Sequence, residues 1–293
     1  MGLPLSDLPI WLSDNILIFV GLFGVVFFAI YNFIKNNEER NLKFIEEYTK
    51  ERFVAVLDIM GFKSMVEKNN DSDVYKIMRR IYDETSEVRE YAKLNTIVFS
   101  DSIFIISEDD GVESFQDIVI ITARFMRFLR EGFAVNGSVS FGNVTYDEER
   151  NIVFGKPINE AHTCQENLFC YSLVLNKSVV DKIKNNSNYF FFQYIPDLIL
   201  DDVDVYFKSN NGYKLEKHSI INWCELYCYG TQRTYENQIT EIRRDLIIVL
   251  KRVKNNERAI QYIKHTEKML CEWFITHTRQ HWIEIDYPEM QSI

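Results

Sequence analysis

Apolar and polar positions alternate in distinct regimes along the chain. From Asn15 to Ile34 no charged residue occurs, and the run ILIFVGLFGVVFFAIYNFI fills Ile16–Ile34. As a helix that run extends roughly 28 Å, close to the hydrocarbon thickness of a bilayer. Asp7 and Asp14 precede it, and Lys35, Arg40 and Lys43 follow it. A secretory signal would show basic residues first and a shorter apolar stretch. The pattern predicts a transmembrane helix over 16–34, with a buried core helix as the competing reading. The positive-inside rule then places residues 1–15 outside and everything after Lys35 in the cytoplasm, so the chain is expected in the cell (inner) membrane. Residues 35–51 are polar and predict a partly helical connector.

Beyond the connector the periods are those of a packed domain. Arg52–Asp58 (RFVAVLD) reads as a buried strand, interrupted at Gly61, with a helix starting near Phe62. Val74, Ile77, Ile81 and Val88 predict a helix over 73–92. Thr96–Phe99 and Ile103–Ser107 are short strands joined at Ser100-Asp101-Ser102, which suits a hairpin. Phe115, Ile118, Val119, Thr122, Phe125, Met126 and Leu129 form one stripe on a helix over 113–130. Strands are expected over 133–141, 143–146 and 152–154, and a helix after Pro157. The order β-α-α-β-β-α-β-β-α predicts an α+β, ferredoxin-like (split βαβ) domain over 52–175. From 176 to 293 an α/β extension is expected, with strand-like pieces over 189–207 and a helical hairpin over 235–254 and 257–282.

Composition narrows the function. With 22 Phe, 16 Tyr and 4 Trp in 293 residues the chain folds, and 33 basic against 43 acidic side chains leave a net charge of −10. That balance opposes a general nucleic-acid binder. Arg243, Arg244, Lys251, Arg252 and Lys254 read as a solvated helix face. The five cysteines match no disulfide framework, and the Cys224/Cys228 and His277/His281 pairs match no common zinc module.

Two carboxylates stand out by position. Asp58 ends the first strand in VLDIMGF, and Asp101 sits in the hairpin of VFSDSIFI. In a split βαβ sheet these elements are neighbours, so the two acids converge at one edge. Acids held that close repel unless divalent cations bridge them, and oxygen ligands favour Mg²⁺ or Mn²⁺. Ile59–Phe62 follow at a helix start, where free N–H groups suit a phosphate and Gly61 permits close approach. Two metals beside a phosphate cradle imply phosphoryl or nucleotidyl chemistry.

VLDIMGF followed by VFSDSIFI resembles the metal-binding signature of class III nucleotide cyclases, roughly F-x-D-I-x-G-F and then G-D beyond two helices. NGSVSFGNV resembles their fourth strand, and IVFGKPINEA the segment opening their last catalytic helix. The likeness spans about residues 52–170. It implies a cyclase homology fold, two Mn²⁺ or Mg²⁺ ions per site, a ribonucleoside triphosphate substrate and a homodimer with sites at its interface. It assigns Asp58, Asp101 and the Ile59 carbonyl to the metals, Gly61 and Phe62 to the triphosphate, and Asn159 to the transition state.

The departures carry information as well. Asn95 stands at the position of the family's purine-contacting lysine, Ile152 at that of the adenine-selecting acid, and Thr163 at that of the transition-state arginine. Asn136-Gly137 stands where relatives show Arg-Gly. Altered base contacts with the LDIxGF and FSDSI wording resemble the Pycsar pyrimidine cyclases of bacterial anti-phage defence. That resemblance implies conversion of UTP to cyclic UMP for a cyclic-nucleotide-responsive effector, with Asn95 a candidate base contact. Cytidylate, adenylate or guanylate cyclases are the alternatives within enzymes. A catalytically silent signalling module is the alternative outside them, favoured by Thr163 and opposed by the retained Asp58 and Asp101. Lys156, Arg150 and His162 are candidate substitutes for the missing arginine.

Overall fold

The computed structural model describes residues 10–68, 70–91, 94–150, 152–185, 198–227, 235–253 and 256–278, and the side chains of 10–26, 88–91, 225–226, 235–236 and 273–278 lie outside that description. Strand β1 (Thr49–Ile59) runs through the middle of an eight-stranded sheet. Its stretch Phe53–Leu57 is continuously apolar because both faces are covered there. Phe53, Ala55, Leu57 and Ile59 point into the main core, while Val54 and Val56 join Ile106, Val144 and Ala161 in a smaller one. Each fully buried Val, Leu, Ile or Phe among them contributes about 1.5–3 kcal/mol of transfer free energy.

On one side β1 pairs antiparallel with β3 (Ser102–Ser107), which forms a hairpin with β2 (Leu94–Phe99). On the other it pairs antiparallel with β4 (Val135–Asp147). Helices α2 (Phe62–Glu67) and α3 (Asp71–Tyr91) link β1 to β2. Helix α4 (Val112–Met126) and a 3-10 turn at Arg127–Glu131 link β3 to β4. The order β2-β3-β1-β4 is the split βαβ arrangement expected from the periods. The predicted stripe on α4 is its buried face. The two strands expected over 133–141 and 143–146 are a single strand, β4, from Val135 to Asp147. Gly142, at φ 144°, sits within this strand without ending its ladder with β1. Strand β5 (Ile152–Gly155) folds back on β4, and α5 (Lys156–Asn167) covers the smaller core.

The sheet does not stop at residue 175. Strand β6 (Leu173–Leu175) lies parallel to β4, and after α6 (Lys177–Lys184) come β7 (Ile199–Ser209) and β8 (Gly212–Ile221). The full order is β2-β3-β1-β4-β6-β8-β7. Helices α7 (Trp223–Tyr227), α8 (Tyr235–Val253) and α9 (Glu257–Thr278) send Trp223, Ile242, Leu246, Tyr262 and Ile263 into the main core. The expected extension therefore shares the sheet and core of the segment before it. The strand expected from 189 is described only from residue 198 onward.

Helix α1 (Ile10–Tyr48) runs unbroken through the expected span and most of the connector, and β1 begins at the next residue. Arg150 ties the junction: it pairs with Asp147 and lies over the rings of Phe44 and Tyr48. Among the described residues no helix is long and apolar enough to cross a membrane. Much of the expected span 16–34 lies at positions whose side chains are outside the described set. Its remainder is bare, with Phe27 73%, Phe28 66% and Phe33 68% exposed.

Candidate active site

The register fixes which side chains share the face that carries Asp58. Asp58 lies opposite Ser102 on β3 and Asn136 on β4, and Ser102 lies opposite Phe99. Cross-strand partners point to one side of a sheet, so Asp58, Asn136 and Phe99 do so. The loop between β2 and β3 is two residues, with Ser100 at φ 57° in the left-handed region that such tight hairpins require. It carries Asp101 to the end of β1, where the Asp101 carbonyl accepts the Ile59 N–H at 3.2 Å. The hairpin loop thus abuts the end of β1, close enough for the Asp101 charge to act on Asp58.

Their electrostatics follow from that placement. Burial pushes the Asp58 carboxyl up to about 6, and the charge of Asp101 adds to the rise, while Lys208 opposes it. A pair of this kind fits a divalent cation, which would reverse both effects. Among the described residues no cluster of three or more His, Cys, Asp or Glu forms. A cation here would complete its shell with backbone carbonyl, water and substrate phosphate oxygens. Mg²⁺ sites built on one or two carboxylates have that composition.

The stretch Ile59–Phe62 departs from expectation. The Ile59 N–H is taken by Asp101 O and the Met60 N–H by Ala134 O at 2.9 Å. Of the four expected donors, only those of Gly61 and Phe62 are left by these bonds. Gly61 caps α2 at φ 84°, a conformation that favours glycine, and α2 itself has only six residues. Its dipole is too short to carry phosphate binding alone.

Two cavities flank this region. One, of about 540 Å³, opens between Asp58, Gly61 and Ser64 on one wall and Arg252, Arg258 and Tyr262 of α8 and α9 on the other. Asn136, Gln165 and Lys208 line it as well. The second, about 820 Å³ and more open, is lined by Lys156, Asn159, Thr163, Asn176, Lys208 and His218. Asn159 therefore faces a different cavity from Asp58 within one chain. Asn95 shares the face of Asp58, since it pairs with Ile106, which pairs with Val54. Four residues and two strands separate it from the acid, about 16 Å by strand geometry. Ile152 pairs with Asp147 in the β4–β5 hairpin. The candidate substitutes for arginine all have acidic partners: Arg150 with Asp147, Lys156 with Glu160 at 3.0 Å, and His162 with Glu166 at 3.5 Å.

Gln165, Lys208 and Arg258 had no local signal as site residues, while Asn136 is marked only as a departure from the Arg-Gly of the resembling family. The β1–β4 register places Asn136 beside Asp58, and the other three reach the site only through folding of distant segments. The basic run on α8 is largely committed within the chain, with Arg243 near Glu267 and Arg244 on Asp245. Cys228 and His281 lie outside the described residues. Burial pushes the thiols of Cys164 and Cys170 up to about 11 and about 12, so both behave as apolar groups.

No family profile and no curated protein sequence matches the chain. Among solved structures it is similar to nucleotide cyclases. The guanylyl cyclase Cya2 matches at 12% identity and a TM-score of 0.41, over 59% of this chain and 92% of that one. The adenylyl cyclase CyaB from P. aeruginosa matches at 11% and 0.40, over 59% and 95%. A bacterial light-regulated adenylyl cyclase matches at 12% and 0.42, over 67% and 98%. Likenesses this distant do not decide the family, so the function rests on the chain's own residues.

Proposed function

We propose that the protein is a nucleotide cyclase of the class III type, converting UTP to 3′,5′-cyclic UMP and pyrophosphate. The observation that carries this reading is the convergence of Asp58 and Asp101 at one end of β1, held by the Ile59 N–H bond to Asp101 O. Two divalent cations held by these carboxylates and the Ile59 carbonyl would acidify the ribose 3′-hydroxyl and neutralise the phosphates. The chain's own groups do the positioning, with Gly61 and Phe62 offering backbone donors to the phosphates. The 3′-oxygen attacks the α-phosphorus in line, its proton leaves to solvent, and the bond to pyrophosphate breaks. No covalent step on the protein is needed, so orientation and electrostatics supply the rate.

Asn159 on the second cavity supports a homodimer, because a second copy is the simplest means of bringing an asparagine of that kind to Asp58. The sheet face around Asp58 suits such a partner, with Phe99 77% exposed and Phe104 and Ile97 half-buried. The choice of a pyrimidine rests on Asn95 and Ile152, neither of which is the purine-reading residue of the resembling family. The same resemblance supports a messenger role in anti-phage defence with a downstream effector. The exposed aromatic residues near the end of the span 16–34 support a membrane anchor, which cell fractionation would test.

The test is direct. The full chain is incubated with each of the four ribonucleotides and Mn²⁺, and the products are resolved by mass spectrometry. Cyclic UMP should dominate, and Asp58→Ala or Asp101→Ala should abolish it. Substantial turnover by Asp101→Ala would refute the paired-acid assignment, and no product from any nucleotide would favour the silent module.

A further inference from the structure

The wall of the smaller cavity opposite Asp58 belongs to elements outside the split βαβ unit, and it is cationic. Lys208 comes from β7, Arg252 from α8 and Arg258 from α9. Arg252 is already engaged, lying 4.5 Å over the Phe133 ring and 3.9 Å from Asp73. Lys208 donates to the carbonyl oxygen of Glu166 and faces Asp58. Arg258 stands beside Lys208 and reaches the Tyr262 hydroxyl, which itself donates to Leu168 O at 2.8 Å. Two like charges are thus gathered at one wall of a protein with net charge −10.

A second observation points to a ligand in the same place. Asn136 is 1% exposed and lines the cavity. Its Oδ1 accepts a bond from Gln165 Nε2 at 3.1 Å, which orients the amide, and its Nδ2 has no partner among the described residues. A buried donor without an acceptor costs about 1–3 kcal/mol, so a fold retains it where something else accepts the bond. The missing group is an acceptor, and the neighbouring cations specify a negative one. A volume of about 540 Å³ suits a small molecule.

We propose that Arg258 of α9, with Lys208 and the Asn136 amide, binds the polyphosphate of the nucleotide within the same chain. This rests on the cyclase reading for the identity of the ligand but not for the site itself. The segment after residue 175 then completes the substrate site, and α9 supplies a positioning residue. Arg258 suits the role because its planar fork meets two phosphate oxygens at once.

The test uses the full chain in chelator with inorganic tripolyphosphate as probe, followed by isothermal titration calorimetry. The wild type should bind, Arg258→Ala should weaken binding about tenfold or more, and Arg258→Lys should recover part of the loss. A matching rise in nucleotide KM, with kcat less affected, is expected in turnover assays. Failure of the wild type to bind, or equal binding by Arg258→Ala, would overturn the inference. So would full recovery of binding by Arg258→Met, which keeps the bulk without the charge, since the loss in Arg258→Ala would then be one of packing. Binding that depends on Arg258 in a protein that forms no cyclic nucleotide would refute the cyclase reading and leave this site standing.

Discussion

Gly137 is a position where the structure tolerates no side chain. It lies on β4 opposite Leu57, next to the Asn136–Asp58 pair. A Cβ at 137 would stand 2.3 Å from Leu57 Cδ2, 2.7 Å from the Val56 carbonyl oxygen and 3.4 Å from Leu173 Cδ2. The first clash is relieved by forcing Leu57 off its rotamer, at about 0.5–1.5 kcal/mol. The second is with backbone, so β1 and β4 must part locally, and overpacking of that kind costs about 1–3 kcal/mol. Gly137→Ala should therefore destabilise the fold by about 2–4 kcal/mol in all. For a chain of this size that lowers Tm by roughly 5–15 °C, read by differential scanning calorimetry. Because Asp58 is the next residue on the displaced strand, turnover at a temperature where the variant stays folded should fall as well. Misplacement by about 1 Å is enough to cost about a hundredfold. An unchanged melting temperature would show that β1 and β4 do not approach as described here.

Three further outcomes are expected. Asp58→Asn in chelator should stabilise the protein at pH 8 but not at pH 3. A carboxyl raised from 3.8 to about 6 favours the fold while protonated and opposes it as pH climbs through that window, a gain of at most about 3 kcal/mol checked by urea melts. Tyr227→Phe removes the 2.7 Å bond from the buried Tyr227 hydroxyl to Asp245, and should cost about 1–3 kcal/mol in the same assay. His265 is stacked on Tyr206 at 4.2 Å, and burial holds its pKa below the usual 6.5. The unfolded chain takes up that proton first, so stability should drop as pH falls below about 6.5, and His265→Gln should lessen the drop in acid unfolding curves.

Much of this fold could be read from the sequence because its first half is built from strong local periods. β1 is a continuous apolar run, α4 a single stripe, and the β2–β3 hairpin is marked by its turn residues. The paired acids followed from topology alone, since an order of β2-β3-β1 makes the end of β1 and the hairpin loop neighbours. What escaped was non-local or too short for a period. β6 has three residues and α6 eight, so neither completes a pattern. Gly142 resembles a break, yet the antiparallel ladder with β1 carries β4 through it. The cavity wall joins Asn136 to Arg258 across more than a hundred residues, and only the packing of α9 on the core brings them together. Asn159 shows the converse. Its motif was legible, but one copy of the chain does not carry it to the acids.

The junction at Tyr48–Thr49 has a mechanical consequence. Thirty-nine residues of helix pass into the strand that bears Asp58 with no slack between them, and Arg150 clamps the joint against the neighbouring hairpin. A torsion or piston stroke applied to the far end of that rod therefore arrives at the carboxylate only ten residues downstream, instead of being lost in a flexible tether.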